Sequence, residues 1–197
     1  SGNVTWDVAY NDPQALLAAC AEGILEKLDW AKLGLDRSKF LGADASDCVV
    51  PTIFYATVVA YDTTKLNPGP TTIADFFDTK KFPGKRGLQK NPFINLEWAL
   101  IADGVPKEDV YKVLSTPEGV DRAFAKLDTI KKDVVWWAAG AQAPQLLADG
   151  EVAMTTAYNG RIFGAAIDEG KPFQIVWDGQ LYENELYVVP KGAPNKD

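Results

Sequence analysis

With 197 residues, 47% of them hydrophobic and 24% charged, the chain can bury one large core or two smaller ones and has an ordinary globular make-up. Twenty basic against 27 acidic residues leave a net charge of −7, which argues against nucleic acid as a partner, because phosphate backbones are held by clustered Lys and Arg; a neutral or cationic small ligand fits better. The absence of histidine removes the usual general base, the Ser-His-Asp and Cys-His arrangements and most zinc sites, so neither a metal nor a cofactor is expected.

Residues 4–10, VTWDVAY, alternate as a strand does, and Asp12-Pro13 offers an N-cap followed by proline at the first helical position. The stretch PQALLAACAEGILEKLD (13–29) then places Leu16, Leu17, Cys20, Ile24 and Leu28 on one helical face. A chain that opens almost directly in a strand is expected to be a fragment of a longer one. SGNVTWDV has neither the basic nor the apolar region of a signal peptide, and no apolar run reaches the roughly 20 residues of a membrane helix. Cys20 and Cys48 form no CxxC motif, and their spacing alone allows either a disulfide or two buried thiols.

VVPTIFYATVVAY (49–61) is a β-branched and aromatic run that predicts a long strand. TTIADFFDT starts a short helix with a capping-box-like Thr72-x-x-Asp75, and KKFPGKRGL leads as a loop into a brief strand. Helices are predicted at 93–103, 106–115 and 117–132, the last two with proline at or near their starts. VVWW as strand, QAPQLLADG as helix, EVAMTTAY as strand, RIFGAAIDEG as helix, and FQIVWDG and ENELYVVPKG as two strands complete the chain. Such alternation predicts an α/β architecture with a largely parallel sheet, on which ligands sit beyond the carboxyl ends of the strands. There is no internal repeat and no phosphate loop.

By that rule VVWW ends at Trp137, and Gln142 with the amides around it faces the space above the sheet. EVAMTTAY ends at Tyr158-Asn159, followed by Gly160-Arg161, and as adjacent βα units these two ends are expected to line one pocket. Tyr182, Glu183 and Glu185 precede the last apolar run, with both carboxylates pointing the same way in an extended strand. Aromatic rings and paired carboxylates suit an organic cation, through ion pairing and cation–π attraction of about 0.5 to 2 kcal/mol per ring. Each feature also has a plain structural reading. Trp136 and Trp137 point to opposite sides of a strand, so one of them is core; Glu183 and Glu185 are most simply solvated; Arg161 can serve only to neutralise a neighbouring carboxylate.

Taken in order, WDV, EGILEKLDW, CVVPTIFYATVVAYD, IADFFDTKKFPGKRGL, GAQAPQLLADGEVAMTTAYNGRI and LYVVPKGAPNKD resemble the spermidine/putrescine-type substrate-binding proteins of bacterial ABC importers across nearly the whole chain. The resemblance implies a type II periplasmic-binding-protein fold, with one complete α/β lobe plus part of the other. Residues 1–50 would close the opening segment of the first lobe, 51–60 form the first hinge crossing, 61–182 the second lobe, and 183–197 the second crossing and the start of the return. Strands before WDV and a helical segment after the second crossing, normal in the family, are missing from this chain.

The resemblance further implies a periplasmic, non-enzymatic protein that captures a small organic cation such as a polyamine by lobe closure and hands it to ABC permease subunits. Tyr158 stands where these binders place an aromatic residue and Glu185 near their carboxylate on the second crossing, with Glu183 and Tyr182 beside it. Asn91 and Ile94 stand where polyamine binders often carry acids, a departure that weakens the polyamine reading. Relatives with this pattern pair a cysteine in the early helix with one before VPT, which implies a Cys20–Cys48 disulfide. An enzyme on the same fold using a cysteine or carboxylates, and the ligand-sensing domain of a receptor or regulator, are the competing classes.

Overall fold

The structure, a computed structural model, describes residues 4–11 and 13–196. In chain order its strands and α-helices are β1 (Ala9–Asn11), α1 (Pro13–Ala21), β2 (Val50–Asp62), α2 (Ile73–Phe77), β3 (Arg86–Gln89), α3 (Asn95–Ala102), α4 (Val110–Leu114), α5 (Pro117–Asp128), β4 (Val134–Trp137), α6 (Gln142–Ala148), β5 (Met154–Tyr158), α7 (Asn159–Ile167) and β6 (Phe173–Val188). The chain divides into two units, one running up to Tyr55 and resuming at Tyr182, the other Ala56–Leu181.

In the first unit β1 pairs antiparallel with the end of β6, Tyr10 facing Tyr187. The predicted strand over 4–10 is thus cut to its last residues, and Asp12, expected as the cap of α1, lies outside the described residues. Helix α1 stops at Ala21 rather than at residue 29, because Gly23 takes a left-handed φ of 71° and turns the chain. Ile24, expected on the buried helical face, is consequently 53% exposed, and Leu25 takes its place in the core. That core unites Leu16, Leu25, Val49, Leu186 and Val188 around Cys48, which is disulfide-bonded to Cys20 with a Cα separation of 5.9 Å. The bond removes the thiol nucleophile that an enzymatic reading would need.

The second unit has the strand order β6-β2-β5-β3-β4. The sheet is mixed, not largely parallel: β3 runs parallel to both β4 and β5, whereas β2 pairs antiparallel with β5. Alternating side chains feed two cores. Val59, Tyr61 and Met154 join Phe76, Trp98, Leu100 and Ile130, while Ala60 and Ala157 join Trp137, Leu147 and Ile162. Helices α2, α3 and α5 therefore contribute to the first core and α6 and α7 to the second.

Local chemistry explains the starts of several elements. Thr72 and Asp75 form the capping box of α2, and Thr116 caps α5 ahead of Pro117. The two final strands predicted from the sequence are one strand of 16 residues, which passes through Gly179 at φ 69°. Asp178 does not turn the chain there. Its carboxylate accepts from the Ile73 amide at 2.9 Å and the Lys107 ammonium at 3.0 Å, and the Gly179 carbonyl accepts from the Trp98 indole.

Candidate functional site

The carboxyl ends of the three parallel strands of the second unit are Gln89, Trp137 and Tyr158. Gln89 faces Trp137 across β3 and β4, and the Lys90 amide continues the pairing to the Trp137 carbonyl at 2.8 Å. The β4 and β5 ends, expected to line one pocket, are separated in the sheet by β3. Its end supplies a group that sequence reasoning missed: Gln89 Nε2 donates to the Tyr158 hydroxyl at 3.0 Å. Nothing local in GLQKNP marks Gln89, because only the order of strands brings it beside Tyr158.

Tyr158 is half-buried and meets the Trp137 ring edge-on, with centroids 5.9 Å apart and planes at 81°. Trp137 itself is 1% exposed, packed with Ala143, Leu147 and Ile162, whereas Trp136 is 49% exposed. Trp137 is therefore the core member of the pair. The strand alternation turns it inward, against the Tyr158 ring.

Gln142 stands at the first position of α6, but its side-chain oxygen accepts from the amides of Ala138 and Ala139, each at 2.8 Å. Its acceptor thus holds the β4–α6 loop. The Asn159 side-chain oxygen is likewise committed, accepting from the Ala56 amide at 2.9 Å where the β2–β5 ladder ends with Thr57 opposite Tyr158. Arg161 is exposed in the first turn of α7 and lines a groove of about 420 Å³ between α6 and α7.

The loop after β3 is held in a costly shape. Asn95 Nδ2 donates to the carbonyls of Gln89 and Asn91 at 2.8 and 2.7 Å, and the chain reaches α3 through Ile94 at φ 69°. A β-branched residue in this region costs roughly 1 to 3 kcal/mol and persists only where its surroundings over-determine it. Asn91 Oδ1 is buried with no hydrogen-bond partner among the described residues. Across loops 89–94, 138–141 and 158–161 there are two cations, Lys90 and Arg161, and no carboxylate.

The remaining candidates belong to the first unit. Tyr182 is 74% exposed, its ring 6.2 Å from that of Phe54. Glu183 accepts from the Tyr55 hydroxyl at 3.2 Å, while Glu185, two residues on in β6, is half-buried and uses its backbone carbonyl to accept from Thr52 Oγ1 at 3.0 Å. Among the described residues no group of three His, Cys, Asp or Glu side chains could hold a metal ion, and no helix is long and apolar enough to cross a membrane.

A family model described as bacterial extracellular solute-binding protein matches residues 1–197. A γ-aminobutyric acid-binding protein of Pseudomonas aeruginosa is 53% identical over 195 residues, which cover 99% of this chain and 55% of that protein. The crystal structure of the binding protein MotA from A. tumefaciens B6 in complex with glucopine is similar with a TM-score of 0.89 at 39% identity, over 100% of this chain and 60% of that one. The structure of the Atu4243-GABA receptor follows at 0.86 and 38%, over 98% of this chain and 58% of that one. The chain thus spans about 55 to 60% of the length of these relatives, and its α/β fold is that of the periplasmic binding proteins.

Proposed function

Because the chain belongs to the bacterial extracellular solute-binding protein family, we propose that it is the larger part of a periplasmic solute-binding component of an ABC importer, binding a small ω-amino acid of the γ-aminobutyrate type without chemical conversion. The observation that carries the ligand class is the charge at the strand ends of the second unit, where Lys90 and Arg161 stand and no carboxylate does. A polyamine offers only positive charge to such a surface. An ω-amino acid offers a carboxylate, which Arg161 can take in a charge-assisted, bidentate pair. The starts of α3 and α7, neither with a side-chain cap, add positive dipole ends to the same strand ends.

Tyr158 supplies the aromatic and hydroxyl face, and Asn91 Oδ1 an acceptor that still needs a donor. In the first unit, Glu185, more weakly Glu183, and the exposed ring of Tyr182 are the groups suited to an ammonium. Glu183 ranks second because the Tyr55 hydroxyl already engages it. These same carboxylates are what support the polyamine reading. The relatives named for γ-aminobutyrate favour the amino acid.

Calorimetry of the full-length protein against γ-aminobutyrate, putrescine, spermidine, a betaine and a neutral sugar tests the proposal. The expected result is binding of γ-aminobutyrate and little of the diamine, which presents no carboxylate to Arg161. Tight putrescine binding with none of γ-aminobutyrate would overturn it. Delivery to permease subunits is tested by uptake of labelled γ-aminobutyrate in cells with and without the gene.

A further inference from the structure

Gly140, in the loop between β4 and α6, has no left-handed φ, so its lack of a side chain is not a conformational need. What it provides is room. A Cβ built on it would lie 2.8 Å from both Cδ2 and Cε2 of the Tyr158 ring, closer than real carbon contacts allow. The ring edge is met by Trp137 at 5.9 Å between centroids, and its hydroxyl by Gln89 Nε2 at 3.0 Å. Three loop or strand-end groups from two other strands thus converge on one side chain. Such over-determination fixes a rotamer, and a recognition group fixed before binding loses less side-chain entropy when the ligand arrives.

We propose that Gly140 and Gln89 are positioning residues for ligand recognition: Gly140 sets where the Tyr158 ring lies and Gln89 where its hydroxyl points. The inference rests on the reading of Tyr158 as a ligand contact. Neither residue touches the ligand on this account; both act through Tyr158. The clash at position 140 is with a side chain rather than with backbone, so a shift of the ring, not of the fold, is the expected response. At an ordinary φ, alanine in place of glycine is otherwise mildly stabilising.

The test uses the full-length protein with γ-aminobutyrate as probe. Gly140→Ala is expected to weaken binding about tenfold, with the unfolding temperature within a few degrees of wild type, and to have no further effect in a Tyr158→Leu background. Gln89→Met, which keeps bulk and removes the donor, is expected to weaken binding by a smaller factor that vanishes in a Tyr158→Phe background. Without any ligand, the ring signals of Tyr158 in a ¹³C-tyrosine-labelled sample, identified by their loss in Tyr158→Leu, are expected to move in Gly140→Ala.

Unmoved ring signals, or affinity losses that persist when Tyr158 is gone, overturn the inference. A moved ring with unchanged affinity in both Tyr158→Leu and Gly140→Ala sinks the ligand-site reading and with it the role assigned here. Weakened binding in Tyr158→Leu with none in Gly140→Ala or Gln89→Met overturns the positioning role alone. Should Gly140→Ala fail to fold, the Gln89→Met and Tyr158→Phe pair decides.

Discussion

Replacing Asp75 with asparagine removes one charge from a small polar knot at the start of α2. The Asp75 carboxylate is 8% exposed; one oxygen accepts from the amides of Thr71 and Thr72 at 2.9 and 3.1 Å, and the other from the Lys81 ammonium at 2.8 Å. Burial pushes its pKa up, but the Lys81 hydrogen bond, the two amides and the Lys81 charge together outweigh that and hold it at about 2, against an ordinary 3.8. A depression of that size corresponds to roughly 2 kcal/mol of folding stability at neutral pH. The folded-state value is the lower one, so this stability is complete above about pH 4 and is lost as pH falls towards 2, with roughly half remaining at pH 3. Lys81 is largely solvated, which makes the figure an upper value. Urea unfolding of the full-length wild type and Asp75→Asn at pH 7, 4 and 3 is the assay. The expected gap is about 2 kcal/mol at pH 7 and half that at pH 3. A gap that does not shrink over this range would show that shape, not charge, is what the site needs.

Further measurements probe other parts of the molecule. Glu185→Gln is expected to weaken binding of an amine ligand about tenfold or more by calorimetry, as loss of a charge-assisted bond worth roughly 1.5 to 3 kcal/mol requires; unchanged affinity removes Glu185 from the site. Replacing both Cys20 and Cys48 with serine is expected to cost about 3 to 4 kcal/mol of stability by denaturant unfolding, from the loop entropy of their 28-residue separation. Arg86 is fully buried, its pKa lowered to about 10 mainly by that burial, and its guanidinium donates to the carbonyls of Phe76, Asp78, Phe82 and Gly84. Arg86→Met strands those acceptors and is expected to cost roughly 3 kcal/mol or more, read as a lowered denaturation midpoint with ligand affinity per folded molecule unchanged.

Elements whose limits depend on neighbouring residues were legible in the sequence. Pro117 marks the start of α5 and Thr72-x-x-Asp75 that of α2, because such signals act within one turn. Features set by distant partners were not. Asp178-Gly179 has the composition of a turn, yet β6 runs through it, since Ile73, Trp98 and Lys107 take up the groups that a turn would have used. The paired tryptophans could be divided into one core and one surface residue by strand alternation, but not assigned. Gln142 looked available for ligand because the two amides that occupy it come from the loop geometry of Ala138 and Ala139, which no propensity scale reports.

The same limit governs charge. A net charge of −7 invites a cationic ligand. At physiological salt, however, a bound molecule responds to charges within about 8 Å, beyond which screening removes most of the rest. Ion pairs such as Asp47 with Arg37 and Asp75 with Lys81 leave that total unchanged, and the total does not say where the excess acids lie. At the strand ends of the second unit, loops 89–94, 138–141 and 158–161 carry Lys90 and Arg161 and no carboxylate, while Asp149, Asp168 and Glu169 lie further along the groove that Arg161 lines. On the proposed reading, a ligand carboxylate pairs with Arg161, a partner that a polyamine cannot supply.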